Sequence, residues 1–336
     1  MWSEQQLEKQ LEQRLSTLTE PDKSVLLTDY KDARRFVIDE IAGRIIGAEP
    51  DLTDHSENHL ADVMRRAHDL MGETTEYFTP FELYLLCVSI LFHDVGNVEG
   101  RGNHQNKIAD IYNGCRHQAS RFNAERTAIL TIAGAHTGKA RNGSKDTLHD
   151  VYSLPFRGQT VRGRELAAVL RLADELAEGP HRTSGYFLNN GKIAPTARIF
   201  HQYASASEYS VNQARIALTF TINMRQGTTG LEIEPGLTVE QFLSFCYDRV
   251  AKVDEERRYC KHYSDLLLRL KETGAFFTFW YGGHLVIIDI EPLSLSDLTV
   301  PGDNPRRIVH IYPSYEPTAL VSKLEAECNG NNERTH

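Results

Sequence analysis

The stretch Leu83–His104, LYLLCVSILFHDVGNVEGRGNH, constrains this chain more than any other. Ahead of it, Thr79-Pro80-Phe81-Glu82 places a hydroxyl at an N-cap, a proline at the first helical position and a carboxylate three residues after the cap. Leu83, Leu86, Ile90 and His93 follow at helical spacing, which predicts His93 on the buried face at the C-terminal end of an apolar helix. Asp94 comes directly after, and Gly96 and Asn97 read as the stop. An adjacent imidazole and carboxylate at the end of such a helix are costly to bury unless something satisfies both, and a cation does so well.

The 336 residues suffice for one large domain or two ordinary ones, and 40% hydrophobic with 25% charged residues describes a soluble globular chain. A net charge of −9 argues against a surface built for general nucleic-acid binding. No run is read as a membrane span, and Met1-Trp2-Ser3-Glu4 does not open a secretory signal. Five scattered cysteines without a C-x-x-C pair point to reduced thiols and a cytoplasmic location.

In chain order, residues 3–18 read as a polar helix with a Leu7, Leu11, Leu15, Leu18 stripe. A second helix is expected from Asp29 to Ile46, burying Phe36, Val37, Ile41 and Ile45 and ended by Gly47 and Pro50. Asp54 is the expected N-cap of a third, on which His59, Val63, Ala67 and Leu70 share one face. His55 lies one turn earlier on the same side and is left open as a ligand, while His68 falls on nearly the opposite face. Beyond the glycine-rich loop from Val95 to Asn103 come His104, a helix over 105–113, a helix from Arg121 to His136, and RELAAVLRLADELAE from Arg164 to Glu178, with Asp174 at the margin of its apolar face.

After about residue 195 the pattern changes. Ala214–Met224 and Leu231–Ile233 alternate as strands around a turn that includes Thr229, and Thr238 to Gln241 is a capping box for a helix reaching Leu270. Phe276–Trp280 and His284–Ile290 form a second hairpin, expected to be covered by the long helix, and the tail from Glu325 reads as frayed. The expectation is a mostly α chain. An all-helical body occupies 1–195, with N-terminal packing helices over 1–50. An α+β accessory module, regulatory or for oligomerisation, occupies 196–336.

The chemistry is expected in the first body. His59, the His93-Asp94 pair, His136 and Asp174 each take the inward face or end of a different helix, and His104 follows the loop. Nitrogen and carboxylate donors without a thiolate suit Mn, Fe, Co, Zn or Mg as a divalent ion, rather than a structural cysteine-type zinc.

The order His … His-Asp … Asp over consecutive helices resembles the HD superfamily of metal-dependent phosphohydrolases. The matching pieces are HLADVMRRA from His59, ILFHDVGN around His93-Asp94 and LRLADEL around Asp174, covering about residues 50 to 185. The resemblance implies an all-helical core with metal on His59, His93, Asp94 and Asp174. His104 and His136 resemble in position the histidines that binuclear members add, for one or two metals per chain. Asn97 stands where many members carry lysine, and Ala177 replaces an Asp often found after ADEL; both bear on the substrate rather than on the metal.

The implied activity is hydrolysis of a phosphorylated small molecule, a nucleotide first, by a water whose pKa a metal lowers from about 15.7 toward 7. Asp94 and His93 stand at the catalytic centre. Arg101, Lys139 and Arg182, which flank the ligands in sequence, are the candidates for holding phosphate. The alternatives are a mixed-valence di-iron oxygenase of the same fold, a non-catalytic ligand-sensing module, and a nuclease, which the acidic balance disfavours. No membrane partner is expected, and a homo-oligomer is allowed.

Overall fold

The computed structural model describes residues 2–334 except 49, 50, 73, 75, 103, 141, 229 and 298–306, with side chains described through 329. Pro50, Asn103 and Thr229, named above as a helix stop, a loop end and part of a turn, lie outside the described residues. The chain is mostly helical with a C-terminal α+β part. It divides into two compact units, one of residues 1–177 with 259–269, the other of 178–258 with 270–336. That grouping places 178–195 and 259–269 differently from the 1–195 and 196–336 bodies expected from the sequence.

In the first unit, α1 (Gln6–Leu15), α2 (Asp22–Phe36), α3 (Gly43–Ala48), α4 (Glu57–Met71), α5 (Pro80–Phe92), α6 (Ile108–Cys115) and α7 (Asn123–Gly134) precede a small hairpin, β1 (Leu154–Phe156) and β2 (Gln159–Val161), and then α8 (Gly163–Leu176). Helix α5 is the axis. Its N-terminus is the capping box read from the sequence: Thr79 Oγ1 accepts from the Glu82 N–H, and the Thr79 N–H donates to Glu82 Oε2. Every residue from Phe81 to Phe92 is buried, because α1, α2, α4, α7 and α8 all pack against it. Truncating one of its buried leucines to alanine would cost about 2–5 kcal/mol. The stretch Pro80–Glu99 is long and apolar enough to cross a membrane by composition, contrary to the reading that no run is. It is 94% buried within the protein, as a core helix is.

Several helix limits differ from the sequence expectation. Helix α1 is shorter than 3–18, and Leu18 is only half-buried while Leu7, Leu11 and Leu15 are fully inside. Helix α2 starts at Asp22 rather than Asp29 and runs into a π-helix over Val37–Ala42. A π turn holds an extra residue, so the buried face shifts phase. Val37 and Ile45 remain inside, while Phe36 and Ile41 end half-exposed. One buried polar cluster ties three helices together. Tyr84, Tyr112 and Arg116 all donate to Glu125, joining α5, α6 and α7. Residues 259–269 complete the unit: the Tyr259 and Tyr263 hydroxyls donate to Asp146, and Arg269 donates to the carbonyls of Asp69 and Leu70.

The second unit contains α9 (Gly185–Asn189), α10 (Arg198–Ala206), β3 (Ser207–Asn212), β4 (Arg215–Gln226), β5 (Leu231–Glu234), β6 (Leu237–Thr238), most of α11 (Val239–His262), β7 (Glu272–Tyr281), β8 (His284–Val286), β9 (Leu293–Ser296), α12 (Ile308–Ile311) and α13 (Pro317–Arg334). The sheet order is β6-β5-β4-β7-β8, with β3 on β4 and β9 on β7. Strand β4 alternates as its sequence does, with Ile216, Leu218, Phe220, Ile222 and Met224 inside. Both expected hairpins are present, and Gly282 and Gly283 at φ 57° and 82° make the tight turn between β7 and β8. The capping box at Thr238 and Gln241 opens α11, whose Tyr247 meets Phe277 of β7. The cover is incomplete, since Phe276 remains 40% exposed. The tail is not frayed at Glu325: α13 continues through it, with Leu320, Leu324 and Cys328 buried at four-residue spacing.

Candidate metal centre

Five helical segments of the first unit converge on one carboxylate. Asp94 follows α5 with φ −110° and ψ 2°, the sparsely populated bridge region, as the chain turns into a short 3-10 helix over Val95–Glu99. Its Oδ2 lies 3.4 Å from His93 Nε2 and 3.6 Å from His59 Nε2, and its Oδ1 lies 3.2 Å from His104 Nε2 and 3.5 Å from His136 Nε2. Asp174, on α8, places Oδ1 3.2 Å from His59 Nε2 and 3.5 Å from His93 Nε2. Among the described residues this gives two groups able to hold an ion, His59-His93-Asp94-Asp174 and Asp94-His104-His136, with Asp94 in both. His68 is in neither.

The tautomers are set locally. Nδ1–H of His93 donates to the Ile90 carbonyl (2.8 Å), that of His136 to the Ala133 carbonyl (2.6 Å) and that of His104 to the Arg101 carbonyl (3.2 Å). A carbonyl can only accept, so Nδ1 carries a proton and Nε2 is the nitrogen turned inward, the one whose lone pair a bound ion would take in place of a proton. Helix ends make this recur: each carbonyl lies three residues before its histidine.

The site fits a cation. Nε2 of His59 and of His93 are buried with no hydrogen-bond partner, a costly arrangement that an ion relieves. With metal–ligand distances of about 2.0–2.2 Å, neighbouring ligand atoms stand roughly 3.0–3.6 Å apart, and the separations above fall in that window. Burial alone would push the His93 imidazole down, but Asp94 and Asp174 beside it hold it well above the ordinary histidine value. Burial likewise raises Asp94, yet His93, His104, His136 and His55 hold its carboxyl well below the usual range. Asp174 is also held low against burial, by His59 and His93. Both carboxylates are therefore ionised and available as ligands. His59, His93 and His136 form the floor, while Asp174 (side chain 26% exposed), His55 and His104 lie on the open side.

The phosphate candidates fare differently. Arg101 and Lys139 are exposed and belong to neither group, although the Arg101 carbonyl steadies His104. Arg182 lies in the second unit, buried and paired with Glu178 at 3.6 Å, so its guanidinium is engaged rather than open to solvent.

Two contributors had weak sequence signals. His55 places Nδ1 2.8 Å from Asp94 Oδ2; its only cue was its position four residues before His59. Gly96 lies directly under the His104 backbone, where an added Cβ would fall 2.0 Å from the His104 carbonyl oxygen. Helix α4 is capped by Ser56 rather than Asp54. The Asp54 carboxylate instead accepts from the Ser56 N–H and from Asn58, forming the turn that carries His55.

A helical body that gathers His … His-Asp … Asp around one pocket defines an HD-type domain with a candidate metal site. Its family model is specific: HD-CE matches residues 49–229, more than half of the 336, and the chain belongs to the HD-CE family. No curated protein matches it. Domain and cluster together indicate metal-dependent hydrolase-type chemistry.

Proposed function

We propose that the protein is a binuclear metal-dependent phosphohydrolase acting on a phosphorylated small molecule, a nucleotide first. The observation that carries this reading is the sharing of Asp94, whose two oxygens face two separate ligand groups. His59, His93, Asp94 and Asp174 would hold one ion, and Asp94, His104 and His136 the second. When bound, such ions supply Lewis acidity toward a phosphoryl oxygen and acidify water. The protein's own part is to fix the Nε2 lone pairs through the Ile90, Ala133 and Arg101 carbonyls and to keep both carboxylates ionised. Exposed Lys139, three residues after His136, and exposed Arg101 are the cations proposed to receive the substrate phosphate on the open side. Among the described residues, neither ligand group draws on the second unit, for which we propose a regulatory or self-association role.

The test couples metal analysis of the purified chain to phosphate release over a nucleotide panel. The expected result is divalent-metal-dependent release that Asp94→Ala abolishes. Iron-dependent O₂ uptake without phosphate release would instead select the di-iron oxygenase reading.

A further inference from the structure

We propose that His55 is a positioning residue of this centre: its Nδ1–H donates to Asp94 Oδ2 and fixes the carboxylate plane so that each oxygen faces its own ligand group. The proposal rests on the metal-site reading given above. Distance separates His55 from the ligands. The contacts of Asp94 with His59, His93, His104 and His136 span 3.2–3.6 Å, the spacing of atoms that share an ion, whereas His55 stands at 2.8 Å, an ordinary hydrogen bond. His55 also belongs to neither ligand group. A carboxylate serving two sites has one torsion that sets both, and a single donor on one oxygen is enough to set it. Outer-sphere hydrogen bonds of this kind orient metal-ligating side chains generally.

The surroundings are built to hold His55 in place. The Asp54 carboxylate accepts from the Ser56 N–H at 2.7 Å and from Asn58 Nδ2 at 3.1 Å, and the Ser56 hydroxyl accepts from the Asn58 N–H at the start of α4. Both residues flanking His55 are therefore tied to the helix that carries His59. The His55 ring meets the His59 ring edge-on with centroids 5.0 Å apart, which limits its rotation.

The experiment titrates Co²⁺ into full-length wild type, His55→Leu and His55→Asn, reading affinity by calorimetry and ligand geometry by visible absorption. Leu and Asn have the same branched shape, but only Asn places an N–H donor near the imidazole Nδ1 position. His55→Leu should weaken Co²⁺ binding roughly 10–100-fold while the absorption bands of the ions that do bind keep their wild-type shape. His55→Asn should recover binding to within a few-fold of wild type. Circular dichroism of the metal-free chains checks folding, and His55→Ala replaces His55→Leu should that variant not fold.

Wild-type affinity in His55→Leu would overturn the positioning role. Altered bands in His55→Leu, with no recovery in His55→Asn, would make His55 a ligand and also overturn it. A wild-type chain that takes up no Co²⁺ would remove the metal-site reading itself, and the proposal with it.

Discussion

Gly96→Ala is the sharpest test of how the second ligand group is held. A methyl at Gly96 would fall 2.0 Å from the His104 carbonyl oxygen, 2.8 Å from its carbonyl carbon and 3.0 Å from Lys107 Cβ. Non-bonded heavy atoms settle near about 3.5 Å, so the His104 backbone would have to retreat by more than roughly 1 Å. The obstacle is main chain, which cannot swing aside as a side-chain tip does. His104 Nε2 stands 3.2 Å from both Asp94 Oδ1 and His136 Nε2, and functional sites tolerate displacements of only about 0.5 Å. We expect the Asp94-His104-His136 group to lose roughly 100-fold in metal affinity, about 2.7 kcal/mol, while His59, His93, Asp94 and Asp174 keep their ion. Overpacking should lower stability by about 1–3 kcal/mol as well. Gly114→Ala is the control, because a Cβ there meets nothing within 4 Å. Its stability should hold or rise by up to about 1 kcal/mol within α6. Metal stoichiometry by mass spectrometry after dialysis against limiting Mn²⁺ reads the outcome. A Gly96→Ala protein with two ions at wild-type affinity would refute the close-approach argument.

His93→Ala and Asp94→Ala should each abolish bound metal and hydrolysis together, and lower the melting temperature in metal-replete buffer, since ion binding adds to folding free energy; full metal content in either would dismiss the site. His136→Ala should reduce stoichiometry from two ions to one, and an unchanged count would return His136 to the core. Burial pushes Glu82 up, but the Arg162 guanidinium and the Thr79 and Arg162 N–H groups bring its carboxyl below the ordinary glutamate value. Its contribution is therefore present above the unfolded pKa near about 4.3 and disappears as pH falls through the lower folded value. Urea unfolding of Glu82→Gln should show a deficit of about 1.5–3 kcal/mol at pH 7 that closes at low pH, and a pH-independent deficit would contradict the pairing.

What was legible in the sequence followed from local chemistry. The Thr79 box, the burial of α5 and the inward faces of His59 and His93 depend on residues within a turn or two of each other. Where a side chain has competing uses, the sequence does not choose between them. Asp54 could cap a helix or close a turn, and in the fold it does the latter. The π-helix at Val37–Ala42 left no compositional mark. The parallel pairing of β4 with β7, from Arg215 opposite Glu272 to Met224 opposite Tyr281, joins residues 57 apart, and no periodicity encodes such a partner. The hydrogen bond from His55 to Asp94 spans 39 residues and was invisible for the same reason.

The return of residues 259–269 to the first unit has a consequence for the order in which the protein is made. Every residue of both ligand groups has been synthesised by Asp174, but Tyr259, Tyr263 and Arg269 arrive up to 95 residues later. At about 5–20 residues per second, the ribosome needs roughly 5–19 s to cover that interval. Until each is made, the segment after His136 lacks the hydroxyls that grip Asp146, and the end of α4 lacks the guanidinium that caps the Asp69 and Leu70 carbonyls. The nascent first unit therefore carries its full metal-binding inventory before it is closed. A chaperone or an early-bound ion has those seconds in which to act on it.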